Sequence, residues 1–107
     1  MEHEELKLNI IEWGYEKGIL GKNANPLKQL DKTFEEILET RDNVVSYLLN
    51  PKSEFMDEIQ DGIGDTIVTL IMLASIFRVD IDDCLLLAYN EIKGRTGNMV
   101  DGVFVKD

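Results

Sequence analysis

Apolar residues recur every three or four positions over most of the chain, and this spacing predicts α-helices. The first stretch of this kind places four residues on one helical face: Leu6, Ile10, Trp13 and Lys17. Two glycines follow it, at Gly18 and Gly21, and they indicate its end because glycine favours the left-handed conformation that terminates helices. The N-terminal segment therefore predicts one helix followed by a turn.

A second helix is predicted from about Leu27 to about Arg41. Asn25 and Pro26 precede it, and these residues are typical of an N-cap and of the first helical position. A shorter helical segment, "NVVSYLL", follows and stops before Pro51, because the residue that precedes a proline avoids the helical conformation. The apolar side of the helix predicted from Leu27 to Arg41 is formed by Leu30, Phe34, Ile37 and Leu38.

Two more helices and a hairpin are predicted in the second half. Ser53 favours the start of the longest helix, which reaches about Phe77, and Asp80 favours the start of the last, which ends near Lys93. The tail has two glycine turns and the alternating segment "VFV", which predicts an ordered tail or small β-hairpin. No repeat or linker divides the chain, so residues 1–107 are predicted to form a single all-α domain, a bundle of four main helices.

Charge and composition exclude several classes of partner. The formal net charge of -10 argues against a nucleic-acid backbone or an anionic membrane. Cys84 is the single cysteine and is predicted to be a buried apolar residue within "DDCLLLAY". The acidic start "MEHEELKLNI" is unlike a signal peptide, and the run "TIVTLIMLASIF" is short for a bilayer span. A cytoplasmic protein without a nucleic-acid or membrane partner is predicted.

Two acidic clusters lie at helical spacing. In the second helix, Glu35, Glu36 and Glu39 project within roughly 100° of one another, and Glu36 and Glu39 are about 60° apart. The longest helix carries a second set along one stripe: Glu54, Glu58, Asp61 and Asp65. Like charges at these spacings destabilise a helix by about 0.2–0.5 kcal/mol per pair, and Gly62 and Gly64 weaken it further while allowing close approach of another helix or a ligand. Facing carboxylate clusters predict a site for a hard cation such as Mg²⁺; a solvated acidic surface is the simpler alternative.

Other metal and phosphate motifs are not supported. Asp80, Asp82 and Glu91 match three positions of an EF-hand loop, but Leu85 occupies the position that requires glycine. One cysteine and one histidine do not make a zinc site, and no Walker-type glycine loop is present.

These residues resemble the MazG-like all-α nucleoside triphosphate pyrophosphohydrolases of the small, single-domain phage and bacterial type. That family carries E-x-x-E and then E-x-x-D on two helices of a four-helix bundle. Here "KTFEEILE" matches the first motif with Glu36 and Glu39, and "IIEWGYEKGIL", "IGDTIVTLIMLASIF" and "AYNEIKGRTGNMVDGVFVKD" extend the likeness over almost the whole chain.

The second motif departs from the family pattern. By its neighbours, Asp65 matches the family's aspartate, which puts Gly62 at the glutamate position, whereas a literal E-x-x-D runs from Glu58 to Asp61. The resemblance and the helical geometry together give these candidate metal ligands: Glu36, Glu39, Glu58, Asp61 and Asp65.

The resemblance implies cleavage of a nucleoside triphosphate between its α and β phosphates, with Mg²⁺ or Mn²⁺ as cofactor, in nucleotide-pool housecleaning. Glu35 or Glu39 would orient or deprotonate the attacking water. Candidate phosphate-binding residues are Lys32, Asn90, Lys93, Arg95 and Lys106, the last from its own or a neighbouring subunit. Trp13 is a candidate for base stacking or, alternatively, for the core. Both the small core and the family likeness predict a homodimer or a homotetramer arranged as a dimer of dimers.

Two non-enzymatic hypotheses remain open at this point. Gly62, in place of the expected glutamate, is compatible with a non-catalytic oligomerisation or regulatory module that has kept the fold. The net charge alone is compatible with an acidic decoy for a nucleic-acid-binding protein.

Overall fold

The computed structural model describes all 107 residues, as four helices and one hairpin. The helices are α1 (His3–Glu16), α2 (Pro26–Leu49), α3 (Ser53–Ile76) and α4 (Ile81–Ile92). Strands β1 (Gly97–Val100) and β2 (Val103–Lys106) pair antiparallel. The chain is therefore mostly helical, in agreement with the predicted all-α class, and the hairpin predicted in the tail is present.

Local signals position the ends of the first two helices. Gly18 and Gly21, which follow α1, have φ angles of 79° and 105°, a region that glycine adopts without strain. Asn25 caps α2, because its side chain accepts a hydrogen bond from the Lys28 backbone N–H at 3.1 Å, and Pro26 is the first helical residue. Both features were predicted from the residue types.

The predicted interruption of the second helix after Arg41 is wrong. Helix α2 continues to Leu49, since no glycine or proline lies between Arg41 and Asn50. Asn43 sits within it and donates from its side-chain amide to the Glu39 carbonyl at 3.1 Å. The helix ends before Pro51, as expected.

The two later caps differ from each other. Ser53 is the first residue of α3 rather than its cap; Lys52 holds the cap position and makes no side-chain capping bond. Asp80 caps α4 as predicted, and its carboxylate accepts from the Asp82 backbone N–H at 2.8 Å.

Helices α2 and α3 are joined by three residues and pack antiparallel. At one level the Thr33 hydroxyl donates to the Thr69 hydroxyl at 2.9 Å, and at another Gly62 faces Thr40. A Cβ at Gly62 would overlap the Thr40 hydroxyl, whereas one at Gly64 would meet open space. The close approach predicted for these glycines therefore occurs at Gly62 and not at Gly64.

Substituting the two glycines separately should change stability in opposite directions. Gly64→Ala should stabilise the protein by up to about 1 kcal/mol through helix propensity, whereas Gly62→Ala should destabilise it by about 1–3 kcal/mol because of overpacking. Chemical denaturation measures both changes. Adding Thr40→Ala should rescue Gly62→Ala; absence of rescue would mean that the Thr40 contact is not the cause.

A buried lysine connects α1 to the start of α4. Lys7 is 3% exposed, and its Nζ lies 2.9 Å from Asp80 Oδ2, 2.8 Å from Asp82 Oδ2 and 2.8 Å from Glu4 Oε2. These bonds raise the pKa of Lys7, and Lys7 in turn lowers the pKa of Asp80 and of Asp82. His3 Nε2 also lies 2.9 Å from Asp82 Oδ1. The cluster fixes the position of the α4 N-terminus.

Lys7→Met should lower the melting temperature at pH 7, because it leaves Asp80 and Asp82 without their cation. Because the pKa values of Asp80 and Asp82 are lowered in the folded protein, their ionised carboxylates stabilise the fold at pH values above their ordinary pKa of 3.8. This stabilisation is lost as the pH falls through the lowered pKa values. The deficit of the variant should therefore shrink on acidification. Melting curves between pH 7 and pH 3 test this, with the unpaired Lys28→Met as control; a deficit independent of pH would contradict it.

The hydrophobic core is small and lies around α3. Leu20, Ile71 and Met72 form it, and Met72 is 0% exposed. Helices α1, α2 and α4 each pack against α3. Ile10 and Ile11 of α1 and Ile81 of α4 pack against this core, to which α2 contributes no residue.

The fully buried residues of α1 are Lys7 and Gly14. Of the predicted apolar face, Ile10 is half-buried and packs against the core, whereas Leu6 and Trp13 are exposed.

Helix α4 buries no residue, and Cys84 is exposed. The prediction of a buried thiol is therefore wrong. Its sequence context is apolar, but only the first part of the helix reaches the core, where Ile81 packs against it.

Helix α3 has the length and composition of a membrane span: 24 residues, with a mean hydropathy of 1.4 in its most apolar 18-residue window. In this structure 28% of that window is buried against the rest of the chain. Core helices of helical bundles have the same properties. The absence of a membrane partner stays a prediction.

Candidate functional site

A cavity of about 380 Å³ lies where α1, α2 and α3 meet. This volume falls within the roughly 300–1,000 Å³ typical of small-molecule sites. Its lining combines apolar side chains with two carboxylates and one cation: Trp13, Ile19, Gln29, Lys32, Glu36, Asp65, Val68, Thr69 and Met72. Four residues predicted as site residues thus border one space, namely Trp13, Lys32, Glu36 and Asp65.

The carboxylate of Asp65 on α3 is affected by acidic residues of both α2 and α3. Although Asp65 is an exposed residue overall, partial burial of its carboxyl raises its pKa, and the charges of Asp61 and Glu36 raise it further. Lys32 opposes the shift without cancelling it. Negative charge is therefore only partly compensated at this point of the cavity.

Lys32 is the only cation that lines the cavity. Its Nζ lies 3.3 Å from Glu35 Oε1 and 3.4 Å from Glu36 Oε1, and these contacts raise the pKa of Lys32, the Glu35 hydrogen bond most. The Glu36 side chain is 12% exposed, so its carboxylate is nearly enclosed. Lys32 therefore forms ion pairs with two carboxylates, the exposed one of Glu35 and the buried one of Glu36.

The other predicted acids lie outside the cavity lining. Glu39, Glu58 and Asp61 are exposed, and the Glu39 and Glu58 side chains make no hydrogen bond or ion pair. No group of three or more acidic, histidine or cysteine side chains is arranged to hold a metal ion in this structure. The donors that do come together are carboxylate oxygens, the ligand type that Mg²⁺ prefers.

Trp13 lies beside the acids rather than in the core. It is 42% exposed and lines both this cavity and a neighbouring one of about 300 Å³, together with Asp65 and Val68 in each. The indole is therefore accessible to a ligand that also reaches Asp65.

Four predicted substrate-binding residues are not brought to this cavity: Asn90, Lys93, Arg95 and Lys106. They lie at the end of α4 and in the hairpin, and the hairpin packs against no other element of the chain. Arg95 instead pairs with Glu91 at 3.7 Å. The backbone of α4 packs against α3 and against no other helix. Asn90, Lys93, Arg95 and Lys106 therefore lie away from α2.

Gln29 and Thr69 line the cavity but were not predicted as site residues. Gln29 Nε2 donates to the Thr69 carbonyl at 3.1 Å and so ties α2 to α3 at the cavity wall. A signal was available: Gln29, Lys32, Thr33 and Glu36 follow one another at helical spacing and form a polar face of α2.

Asp65→Asn should raise the melting temperature at pH 7 in the absence of divalent cations. A raised carboxyl pKa means that the ionised form is disfavoured in the folded state, so stability is lost as pH rises through the raised value. The gain should disappear below the ordinary pKa of 3.8. Asp31→Asn is the control, because Asp31 is an exposed residue of α2 that does not line the cavity. An equal gain from both substitutions would indicate a general charge effect.

The candidate site therefore combines carboxylates from two helices, one lysine and an accessible tryptophan around a single cavity. Comparison of the chain with protein-family models, with curated proteins and with solved structures finds no match.

Proposed function

We propose that this chain is a Mg²⁺-dependent nucleoside triphosphate pyrophosphohydrolase with a MazG-like four-helix-bundle fold. The observation that carries the proposal is that Glu36 on α2 and Asp65 on α3 line one cavity together with the accessible Trp13. A nucleotide presents a base and a polyphosphate, and this cavity offers an aromatic ring and a carboxylate set that suits a phosphate-bound cation. The proposed setting is the cytoplasm.

The chemistry of the donors fits a hard divalent cation, although no three of them already surround one point in this structure. All the donors are carboxylate oxygens. Partial burial of the Asp65 carboxyl, and then the negative charges of Asp61 and Glu36, raise its pKa, and a bound cation would favour its ionised form. Glu36, Asp61 and Asp65 would hold the ion, with Glu39 and Glu58 on neighbouring turns. When bound, Mg²⁺ or Mn²⁺ would neutralise charge on the phosphates and polarise the phosphorus under attack.

Trp13 and Lys32, which line the cavity, and Glu39, which lies on α2 outside its lining, have separate roles in the proposed hydrolysis. Trp13 stacks on the base, and Lys32 exchanges a carboxylate partner for a phosphate oxygen. Glu39, which has no partner in the structure, accepts a proton from the attacking water. The water oxygen bonds to the α-phosphorus while the bond to the bridging oxygen breaks, and a nucleoside monophosphate and pyrophosphate leave.

Phosphate contacts from Asn90, Lys93, Arg95 or Lys106 would have to come from a neighbouring subunit, because none of them lines the cavity in its own chain.

A panel of nucleoside and deoxynucleoside triphosphates, assayed for pyrophosphate with and without Mg²⁺, tests the proposal. We expect metal-dependent release of pyrophosphate and a monophosphate from at least one nucleotide. Release of inorganic phosphate alone, or survival of every nucleotide with either Mg²⁺ or Mn²⁺, would contradict it.

A non-catalytic regulatory module is the alternative, and the packing at Gly62 favours it. Gly62 stands where the family pattern has a glutamate, and Thr40 packs directly against it. A longer side chain therefore has no room at position 62. Calorimetry with Mg²⁺ and a nonhydrolysable nucleotide separates the two, because a purely structural module should bind neither. An acidic decoy is less consistent with the nearly enclosed Glu36, since a decoy needs its charges on the exterior.

A further inference from the structure

A second polar cavity, of about 390 Å³, lies where the connection between α1 and α2 passes the C-terminal end of α3. Its lining combines two cations with hydroxyl groups and apolar side chains: Tyr15, Leu20, Gly21, Lys22, Ala24, Ser75, Ile76 and Arg78. No carboxylate lines it, although the chain carries a formal net charge of -10. It shares no lining residue with the cavity beside Glu36 and Asp65. The chain therefore has a cationic cavity that is separate from its acidic one.

Both cations of this cavity lack a partner within the chain. Lys22 and Arg78 take part in none of the salt bridges of the structure. The backbone N–H groups of Gly21 and Lys22 also donate no hydrogen bond to another backbone group. Hydrogen-bond donors without acceptors therefore border the cavity, two of them on charged side chains.

Arg78 occupies a backbone position that favours glycine. Its φ angle is 58°, in the left-handed region that side chains other than those of Asn, Asp and His seldom adopt. The Val79 N–H donates to the Ala74 carbonyl at 3.0 Å, and the Arg78 N–H donates to the Ser75 carbonyl at the same distance. These two bonds define a Schellman end of α3, in which glycine is usual at the position of Arg78. Folding alone therefore favours glycine at position 78, and a strained residue of this kind points to a function.

The carbonyl groups at the ends of α1 and α3 do not need these cations. The Gly14 carbonyl of α1 accepts hydrogen bonds from the backbone N–H groups of Ile19 and Leu20, at 3.0 Å and 3.1 Å. The Schellman bonds engage the corresponding carbonyls of α3. Because the helix ends are satisfied by the backbone, the charges of Lys22 and Arg78 are available to a ligand.

We infer that this cavity binds a small phosphate monoester, a molecule that joins one phosphate to an apolar group. The phosphate of a monoester carries about -1.5 to -2 charges and three acceptor oxygens, which match two cations and nearby free N–H groups. Arginine binds phosphate through paired N–H groups and lysine as a point charge. Ala24 and Ile76 provide the contact for the apolar group. Since no carboxylate lines the cavity, binding requires no divalent cation.

Calorimetric titration of the wild-type protein with phenyl phosphate, in the presence of a chelator, tests the inference first. We expect saturable binding that is about 10-fold or more tighter than that of inorganic phosphate, because the phenyl group buries apolar surface. Equal affinities for the two compounds would overturn the assignment to a monoester. Absence of saturable binding by either compound would overturn the site itself.

Arg78→Gly separates binding from folding. It should weaken the binding of phenyl phosphate about 10-fold or more, since a charge-assisted hydrogen bond is lost. It should not lower the melting temperature, because glycine adopts a positive φ without strain. Lys22→Gln should weaken binding to a similar extent.

Lys17→Gln is the matched control, because Lys17 is an exposed cation of the same connection and does not line the cavity. Binding retained by both Arg78→Gly and Lys22→Gln, or weakened equally by Lys17→Gln, would overturn the inference. Loss of binding only together with a loss of stability would also overturn it. The readout is binding without metal, so this inference and the proposed hydrolysis can fail independently.

Discussion

Glu39→Gln is expected to lower the rate of pyrophosphate release about 100-fold or more, with little change in KM. The substitution keeps the shape of the side chain and removes the group that accepts a proton from water, and such groups contribute about 10²–10⁴-fold to rates. Glu39 is suited to the role because its carboxylate is exposed and makes no ion pair or hydrogen bond. Steady-state kinetics at saturating Mg²⁺ and nucleotide measures the effect.

Glu35→Gln is the matched control for Glu39→Gln. Glu35 lies one turn earlier on the same helix, but its carboxylate is paired with Lys32 at 3.3 Å. Its loss should therefore affect binding through Lys32 more than it affects turnover. A large loss of kcat in Glu35→Gln, with Glu39→Gln near wild type, would reverse the two assignments.

Trp13→Ala is expected to raise KM for the nucleotide about 5- to 150-fold, the equivalent of about 1–3 kcal/mol for one stacked base. The indole is positioned for this because it borders the cavity with Asp65 and is not enclosed by the core. Trp13→Phe retains an aromatic face and should recover most of the affinity. A fall in melting temperature with KM unchanged would instead identify Trp13 as a packing or interface residue.

Features set by local chemistry were predictable from the sequence. The Asn25 cap, the glycine turns after α1, the Asp80 cap and the terminal hairpin each depend on residues within a few positions of one another. Helical spacing likewise placed Glu36, Asp61 and Asp65 on surfaces that can interact, and Asp65 responds to both of the other two.

Features set by packing between elements were not predictable in the same way. The exposure of Cys84 follows from how little of α4 reaches the core, and no local pattern encodes that. Helix α2 continues past the predicted stop at Arg41 because the polar residues that follow include no helix breaker. The need for glycine at position 62 arises from Thr40, which packs against it from the other helix.

Calorimetric titration with Mg²⁺ tests most directly whether α2 and α3 share one cation. Wild-type protein should bind Mg²⁺, and Glu36→Gln and Asp65→Asn should each weaken binding about 10-fold or more. Loss of a residue that only hydrogen-bonds to a metal ligand already costs about 10-fold in affinity, and loss of the ligand itself should cost at least as much. Asp31→Asn should bind as wild type does. Wild-type protein that binds no Mg²⁺, or binding unaffected by the loss of either Glu36 or Asp65, would contradict a metal site built from both helices.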